Sequence, residues 1–279
     1  MIARSPEASA ASDVAARPER AGGPALAPHV VVGGMKVATL SLETLIARMV
    51  AEAPAVRRAG VAPKLIFSAN AHSLSLCATN PDFRAAMDQA DLTHADGGVI
   101  VAASRLVSGA PIENRSATTD MFLDSFEAAA RAGTSYYLLG ATEDTNAECA
   151  RLLAERHPGL KLAGRRNGYF APEEEDAVID AINAAAPDVL WIGLGKPAEQ
   201  IFSVRNRNRL TCGWIVSCGG AYNFLTGEYP RAPHWMRRCG LEWLHRLSTK
   251  PGKLFMRYLI TNPHALWLIL TRHSRDVFA

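Results

Sequence analysis

Apolar and polar positions alternate along the chain between two periods. Short apolar runs recur at "PKLIFSAN" (63–70), "DLTHAD" (91–96), "SYYLLG" (135–140), "DVLWIGLG" (188–195) and "GWIVSCGG" (213–220), each closing on small or polar residues. Unbroken runs of this length predict strands buried on both faces. Between them, apolar residues recur at three- and four-residue spacing in "SLETLIARMVAEA" (41–53), "TTDMFLDSFEAAARAG" (118–133), "TEDTNAECARLLAERHPG" (142–159), "PEEEDAVIDAINAAAP" (172–187) and "PAEQIFSVRNRNRL" (197–210). These predict helices, with Ser41 capping the first and Gly133 closing the second. Residues 71–90 read as shorter helical pieces, "LKLAGRRNGYF" (160–170) as a strand and turn, and "HVVVGGMKVATL" (29–40) as a hairpin turning at Gly33–Gly34.

Strands alternating with helices imply right-handed βαβ units. The fold class expected is therefore α/β, a Rossmann-like, doubly wound and mostly parallel sheet. In such a sheet ligands gather at the carboxyl ends of the strands. Those ends are Ser68–Asn70, Asp96–Gly98, Gly140–Thr142, Asn167–Tyr169, Gly193–Pro197 and Cys218–Gly220, and five of the six carry glycine. Glycine lets a backbone approach a ligand and leaves helix N-terminal N–H groups facing an anion, although βα turns favour glycine in any case. As a set they point to a nucleotide or phosphorylated ligand. No GxGxxG follows the first strand and no GxxxxGK[ST] occurs, which disfavours a standard dinucleotide or P-loop site. Asp96 ends a buried strand ahead of two glycines, the setting of a carboxylate aimed into a cleft for proton abstraction; a cap on the next helix is the other reading.

Charge changes the picture only locally. A net charge of +3 over 279 residues is too small to indicate nucleic acid as a partner. Residues 231–257, however, hold Arg231, Arg237, Arg238, Arg246, Lys250, Lys253 and Arg257 against the single acid Glu242, with Trp235, Trp243, Leu244 and Leu247 interleaved. Basic and aromatic residues on helices too short to span fit a surface lying on an anionic bilayer; an RNA-binding patch and an ordinary solvated helix face are the rivals. No window approaches the ~18 apolar residues of a transmembrane helix. The segment 1–28 is rich in Ala, Pro, Gly and Arg without an apolar signal core, and is expected to be a disordered tail. The expected organisation is thus a tail (1–28), an α/β catalytic core (29–230) and a basic, aromatic helical appendage (231–279). The five cysteines lie far apart with no metal-ligand spacing, as free thiols in a reducing compartment would.

Four segments together resemble a known family: "SANAHSL" (68–74), "ADLTHADGGVIVAASRL" (90–106), "IGLGKPAEQ" (192–200) and "CGGAYNFLTGEYPRAPHWMRRCGLEWLHRL" (218–247). The chain resembles the WecG/TagA/CpsF glycosyltransferases, the inverting enzymes of glycosyltransferase family 26, from about residue 30 to residue 260. The resemblance implies a GT-E variant of the Rossmann-like fold and inverting transfer of N-acetylmannosamine or another hexose. The implied donor is a UDP-sugar and the acceptor a polyprenyl-diphosphate-linked sugar, in cell-surface polysaccharide synthesis. It implies no metal and no cofactor, and a peripheral location on the inner face of the bacterial cytoplasmic membrane. Asp96 takes the position of the family's base, with Ser68 and Asn70 in its "TPN"-type segment, where Ala69 replaces the proline. Gly97, Gly140, Ala141, Tyr169, Gly193, Gly195 and Lys196 are the nucleotide-sugar candidates; Lys196 reads either as a diphosphate contact or as a surface lysine. The chain has "PAEQ" where the family commonly has "PKQE", so either Glu199 or Gln200 contacts the donor. Arg115, Thr119, Asp120, Arg231, Arg237, Arg238 and Arg246 are the candidates for diphosphate or acceptor. Two readings of other classes stay open on the residues alone, a nucleotide-dependent oxidoreductase and a non-catalytic sugar-nucleotide-binding membrane adaptor. The oligomeric state is open too, a homo-oligomer included.

Overall fold

Each of the predicted apolar runs becomes a strand. The computed structural model describes residues 27–238, 242–249 and 251–272. An antiparallel hairpin, β1 (His29–Val32) and β2 (Met35–Ala38), precedes α1 (Leu42–Arg58). Then come β3 (Lys64–Ala69), α2 (Ala71–Thr79), α3 (Pro81–Asp88), β4 (Leu92–Ala95), α4 (Gly98–Val107) and α5 (Thr118–Ala132). The second half runs β5 (Ser135–Gly140), α6 (Glu143–Arg156), β6 (Lys161–Arg166), a 3-10 turn at Pro172–Glu174, α7 (Glu175–Ala185), β7 (Val189–Gly193), α8 (Ala198–Arg205) and β8 (Trp214–Ser217). Four helices close the described chain: α9 (Ala221–Leu225), α10 (His234–Arg238), α11 (Glu242–Thr249) and α12 (Pro251–Thr271).

The six-stranded sheet is wholly parallel, in the order β4-β3-β8-β7-β5-β6. Alternate side chains of each strand enter opposite layers, as the two-residue period requires. Leu65, Phe67, Leu139, Ile192 and Ile215 face α2, α3, α4, α7, α8 and the hairpin. Ile66, Tyr136, Leu138, Trp191 and Val216 face α1, α5, α6 and α9. This is the doubly wound α/β fold. β6 is an edge strand and only partly buried, which is why "LKLAGRR" lacks the apolar run of its neighbours. The predicted helix at 197–210 stops at Arg205, where Asn206 closes it with a backbone bond to Phe202.

The chain winds outward from β3 to β4, crosses to β5 and β6, and returns inward through β7 to β8. β5 therefore sends its helix one way and β7 the other, and the crevice above their carboxyl ends is the switch point where such sheets take ligands. Beyond Pro230 the chain does two things. α10 and α11 are tied to the carboxyl edge by ion pairs described below. α12 returns to one face of the sheet, burying Ala265, Leu268 and Ile269 in the core layer that holds Leu74 of α2, with Ser75 Oγ 2.9 Å from His264 Nδ1.

Candidate active site

The ends of β3 and β4 lie side by side, Ala69 opposite Ala95 in parallel register, so the next residues, Asn70 and Asp96, meet at the carboxyl edge. Asn70 Nδ2 donates to Asp96 Oδ2 at 2.9 Å, and the Thr118 backbone N–H donates to Oδ1 at 2.8 Å. Asp96 thus does cap a helix, but it caps α5 rather than the α4 that follows it. The cap of α5 is Ala117, which has no side-chain acceptor of its own. Burial alone would raise the Asp96 pKa. The charge of Lys196, His94, the Thr118 N–H and the Asn70 amide together outweigh it and hold the carboxyl below its ordinary value. His94, buried one residue before Ala95, donates from Nδ1 to the Ser116 carbonyl at 2.6 Å, while its Nε2 has no partner. Burial pushes its imidazole pKa down, so the ring is neutral near pH 7. His72, on α2, is likewise lowered by burial, to about 4.

Lys196 is not a surface lysine. It is partly buried, and its Nζ donates to the Ser68 carbonyl at 3.0 Å, the Ser68 hydroxyl at 2.9 Å and the Ser73 hydroxyl at 2.6 Å. Burial lowers its pKa, against the opposing pull of Asp96 and Glu199. Glu199 is buried beneath the turns that follow β7 and β8. Its Oε2 accepts from the backbone N–H groups of Gly195 and Gly219, each at 3.1 Å, and its Oε1 from Gln200 Nε2 at 3.1 Å. Burial holds this carboxyl above its ordinary value. Gln200 is also buried, with Oε1 unpartnered. Glu199 thus braces the two glycine turns, and Gln200 holds its other oxygen.

The strand-end glycines divide into two kinds. A Cβ on Gly97 would sit 3.0 Å from the Asn70 Cβ, one on Gly140 would lie 2.4 Å from the Gly193 carbonyl oxygen, and one on Gly193 2.7 Å from that of Gly219. These three are glycine because neighbouring strand ends close on each other. Gly195 and Gly219, at φ +79° and +52°, have nothing within 4 Å of the Cβ position and border open space. Ala141 follows Gly140 with φ 58°, and Tyr169 stands 77% exposed after β6. Strands are spaced about 4.8 Å apart, so the β7 end is about 14 Å from the β4 end and the β6 end about 24 Å. The structure therefore gathers Asp96, Ser68, Asn70, Gly97 and Lys196 closely and sets Gly193, Gly195, Glu199 and Gln200 beside them. Gly140 and Ala141 lie farther along the edge, and Tyr169 at its far end.

Three of the predicted cationic residues, Arg115, Arg231 and Arg237, converge on the start of α5. Asp120, one residue after Thr119, accepts from Arg231 at 2.5 Å and lies 3.7 Å from Arg237 and 3.9 Å from Arg115. Arg115 also donates to Glu242 of α11 at 2.8 Å, and Glu242, the single acid of residues 231–257, is buried. Arg231 and Arg246 both lie over the Phe224 ring, at 5.7 and 5.4 Å. Beside them opens a cleft of about 450 Å³ lined by Gly220, Phe224, Tyr229, Pro230, Arg246, Thr249, Leu254 and Arg257. Arg246 and Arg257 show ring contacts where Arg115, Arg231 and Arg237 show carboxylates. Arg238 belongs to α10, but its side chain, like all of Lys250, lies outside the described residues.

The description "Glycosyl transferase WecG/TagA/CpsF family" matches residues 30–277. This chain belongs to that family. A curated relative from Bacillus spizizenii is 30% identical over 196 residues, covering 70% of this chain and 74% of the relative. It is named N-acetylglucosaminyldiphosphoundecaprenol N-acetyl-beta-D-mannosaminyltransferase. Within this WecG/TagA/CpsF glycosyltransferase, sequence reasoning gave no role to Ser73, the Thr118 N–H, Phe224 or Tyr229 of the candidate site, and it named Arg257 only within the basic C-terminal set. The one readable signal was at Ser73, three residues after Asn70, the spacing of a helix N-cap, and its N–H does bond Asn70 Oδ1 at 3.0 Å.

Proposed function

We propose that this glycosyltransferase moves a hexose, N-acetylmannosamine the first to test, from a UDP-sugar to a polyprenyl-diphosphate-linked N-acetylglucosamine, inverting the anomeric carbon. The observation that carries this is the placement of Asp96: an ionised carboxylate held rigidly at the strand edge, in line with glycine turns on one side and arginines on the other. The acceptor O–H gives its proton to Asp96 as its oxygen attacks C1, the bond from C1 to the phosphate oxygen breaks, and UDP departs with the electron pair. The helix N-terminus at Ala198 and Arg246 and Arg257 at the cleft supply fields for the two diphosphates, while the open turns at Gly195 and Gly219, whose N–H groups are taken by Glu199, leave room beside them. The acceptor's lipid and the donor's nucleotide put the enzyme at the inner face of the cytoplasmic membrane. Supporting this, α10 to α12 expose Trp235, Trp243, Phe255, Leu259, Ile260, Trp267 and Leu270. No helix among the described residues is long and apolar enough to cross a membrane. Such an apolar face, aromatic and aliphatic together, suits a lipid interface better than RNA or bulk water.

The test is UDP release from a panel of UDP-sugars with a short-chain polyprenyl-diphosphate-N-acetylglucosamine acceptor. Asp96→Asn is expected to lower kcat by about 10²–10⁴ while UDP affinity, read by calorimetry, stays within about twofold. A wild-type enzyme inert on every donor, or an Asp96→Asn variant of full rate, overturns the reading.

A further inference from the structure

We infer that Lys196 is a positioning residue for Asp96, acting through Ser73 and Asn70, and that it does not contact the donor's diphosphate. The inference rests on the reading of Asp96 as the base.

An ammonium has three protons to donate. All three of Lys196 have acceptors on β3 and α2: the Ser68 carbonyl, the Ser68 hydroxyl and the Ser73 hydroxyl. A phosphate oxygen could bind Nζ only by displacing one of them. Ser73 then links the lysine to the base. Its hydroxyl reaches the Ser68 carbonyl at 2.8 Å and Asn70 Oδ1 at 3.1 Å, and its backbone N–H donates to the same Oδ1 at 3.0 Å. With the carboxamide oxygen claimed by Ser73, the Asn70 NH₂ must face outward, where it donates to Asp96 Oδ2 at 2.9 Å. The flipped amide would set its NH₂ against the Ser73 N–H and its oxygen against the carboxylate, two like-polarity contacts. By donating to the Ser73 oxygen, the lysine turns that hydroxyl's single proton toward the Ser68 carbonyl and Asn70 Oδ1, and so reinforces the amide orientation that the Ser73 N–H sets.

Its charge acts in the same direction. The charged and titratable groups acting on Asp96 are Lys196 from the β7 turn, His94 from β4 and Arg115 from the loop before α5. Those acting on Lys196 are Asp96, Glu199, Cys77 and Arg257, with His72 near it on α2. Both histidines are neutral near pH 7, and after burial itself Lys196 is the largest influence on the Asp96 carboxyl. A base is active above its pKa, so loss of this cation moves the acid limb of the rate to higher pH.

The experiment compares wild type, Lys196→Met and Ser73→Ala as full-length enzymes, by UDP release across pH and by UDP calorimetry. Lys196→Met is expected to move the acid limb of kcat/KM up by about one pH unit and to lower the plateau about tenfold, with UDP affinity within about twofold of wild type. Ser73→Ala keeps the charge, so it is expected to lower kcat about three- to tenfold with the acid limb in place. A Lys196→Met enzyme that loses UDP affinity tenfold with an unmoved acid limb overturns the inference and gives the lysine to the diphosphate. Carbon-13 NMR of aspartate-labelled protein, with the Asp96 signal assigned by its loss in Asp96→Asn, needs no turnover. An upward-shifted titration in Lys196→Met upholds the coupling even if no donor is used, whereas an unchanged one refutes it.

Discussion

Gly140 shows how much a single position on the sheet edge is constrained. Its φ is +139°, and a methyl group there would overlap the Gly193 carbonyl. Gly140→Ala combines a strained backbone with a backbone clash that no side-chain rotation relieves. It is expected to lose at least about 3 kcal/mol of stability, and an unchanged urea midpoint would refute the close approach. The glycines were legible in the sequence as a set at strand ends, but not the reason for each. A glycine kept for ligand access and one kept because two strands touch look the same along the chain. The same ambiguity hid Glu199. Its neighbours in sequence mark it as polar and near a turn, whereas only the folded chain brings the Gly195 and Gly219 N–H groups, twenty-four residues apart, onto one carboxylate. Asp96 was legible because strand period, terminal position and following glycines agree at one residue.

Among the elements, α12 departs furthest from its sequence-based reading. "KLFMRYLITNPHALWLIL" carries apolar residues on two stripes, and helical periodicity does not say which stripe finds the protein. The structure buries Leu254, Ala265, Leu268 and Ile269 and leaves Phe255, Met256, Leu259, Ile260, Trp267 and Leu270 outside. Leu268, fully buried, is therefore a core residue, although it lies beyond the boundary expected at residue 230. Leu268→Ala is expected to cost about 2–5 kcal/mol, measured as a fall in the urea midpoint. Leu270→Ala, two residues on and 65% exposed, is expected to leave that midpoint unchanged. Equal effects of the two would mean the stripes are exchanged. The hairpin, by contrast, was legible in full, since Gly33–Gly34 between two β-rich runs leaves few alternatives.

For the whole molecule, the class of fold followed from alternation alone, and right-handed crossovers pruned the topologies. The strand order did not follow, because β8 pairs between β3 and β7 through contacts more than a hundred residues apart on one side. That pairing brings Lys196 to Ser68 and so assembles the site. The outward apolar stripe, with Arg246 and Arg257 near it, predicts binding to vesicles containing anionic lipid and weaker binding as salt rises. The double variant Leu259→Asp, Ile260→Asp is expected to weaken vesicle co-sedimentation at least tenfold with its thermal midpoint preserved. Equal sedimentation of wild type and variant would place the contact elsewhere.

One helix that is at once buttress and exposed greasy flank has a practical corollary. Trimming the chain at residue 230 to gain a better-behaved protein would strip the cover from Leu74 and the hairpin, exchanging one sticky surface for another. Handling should instead shield the flank, with detergent or with acidic substitutions confined to it, and leave the last helix in place.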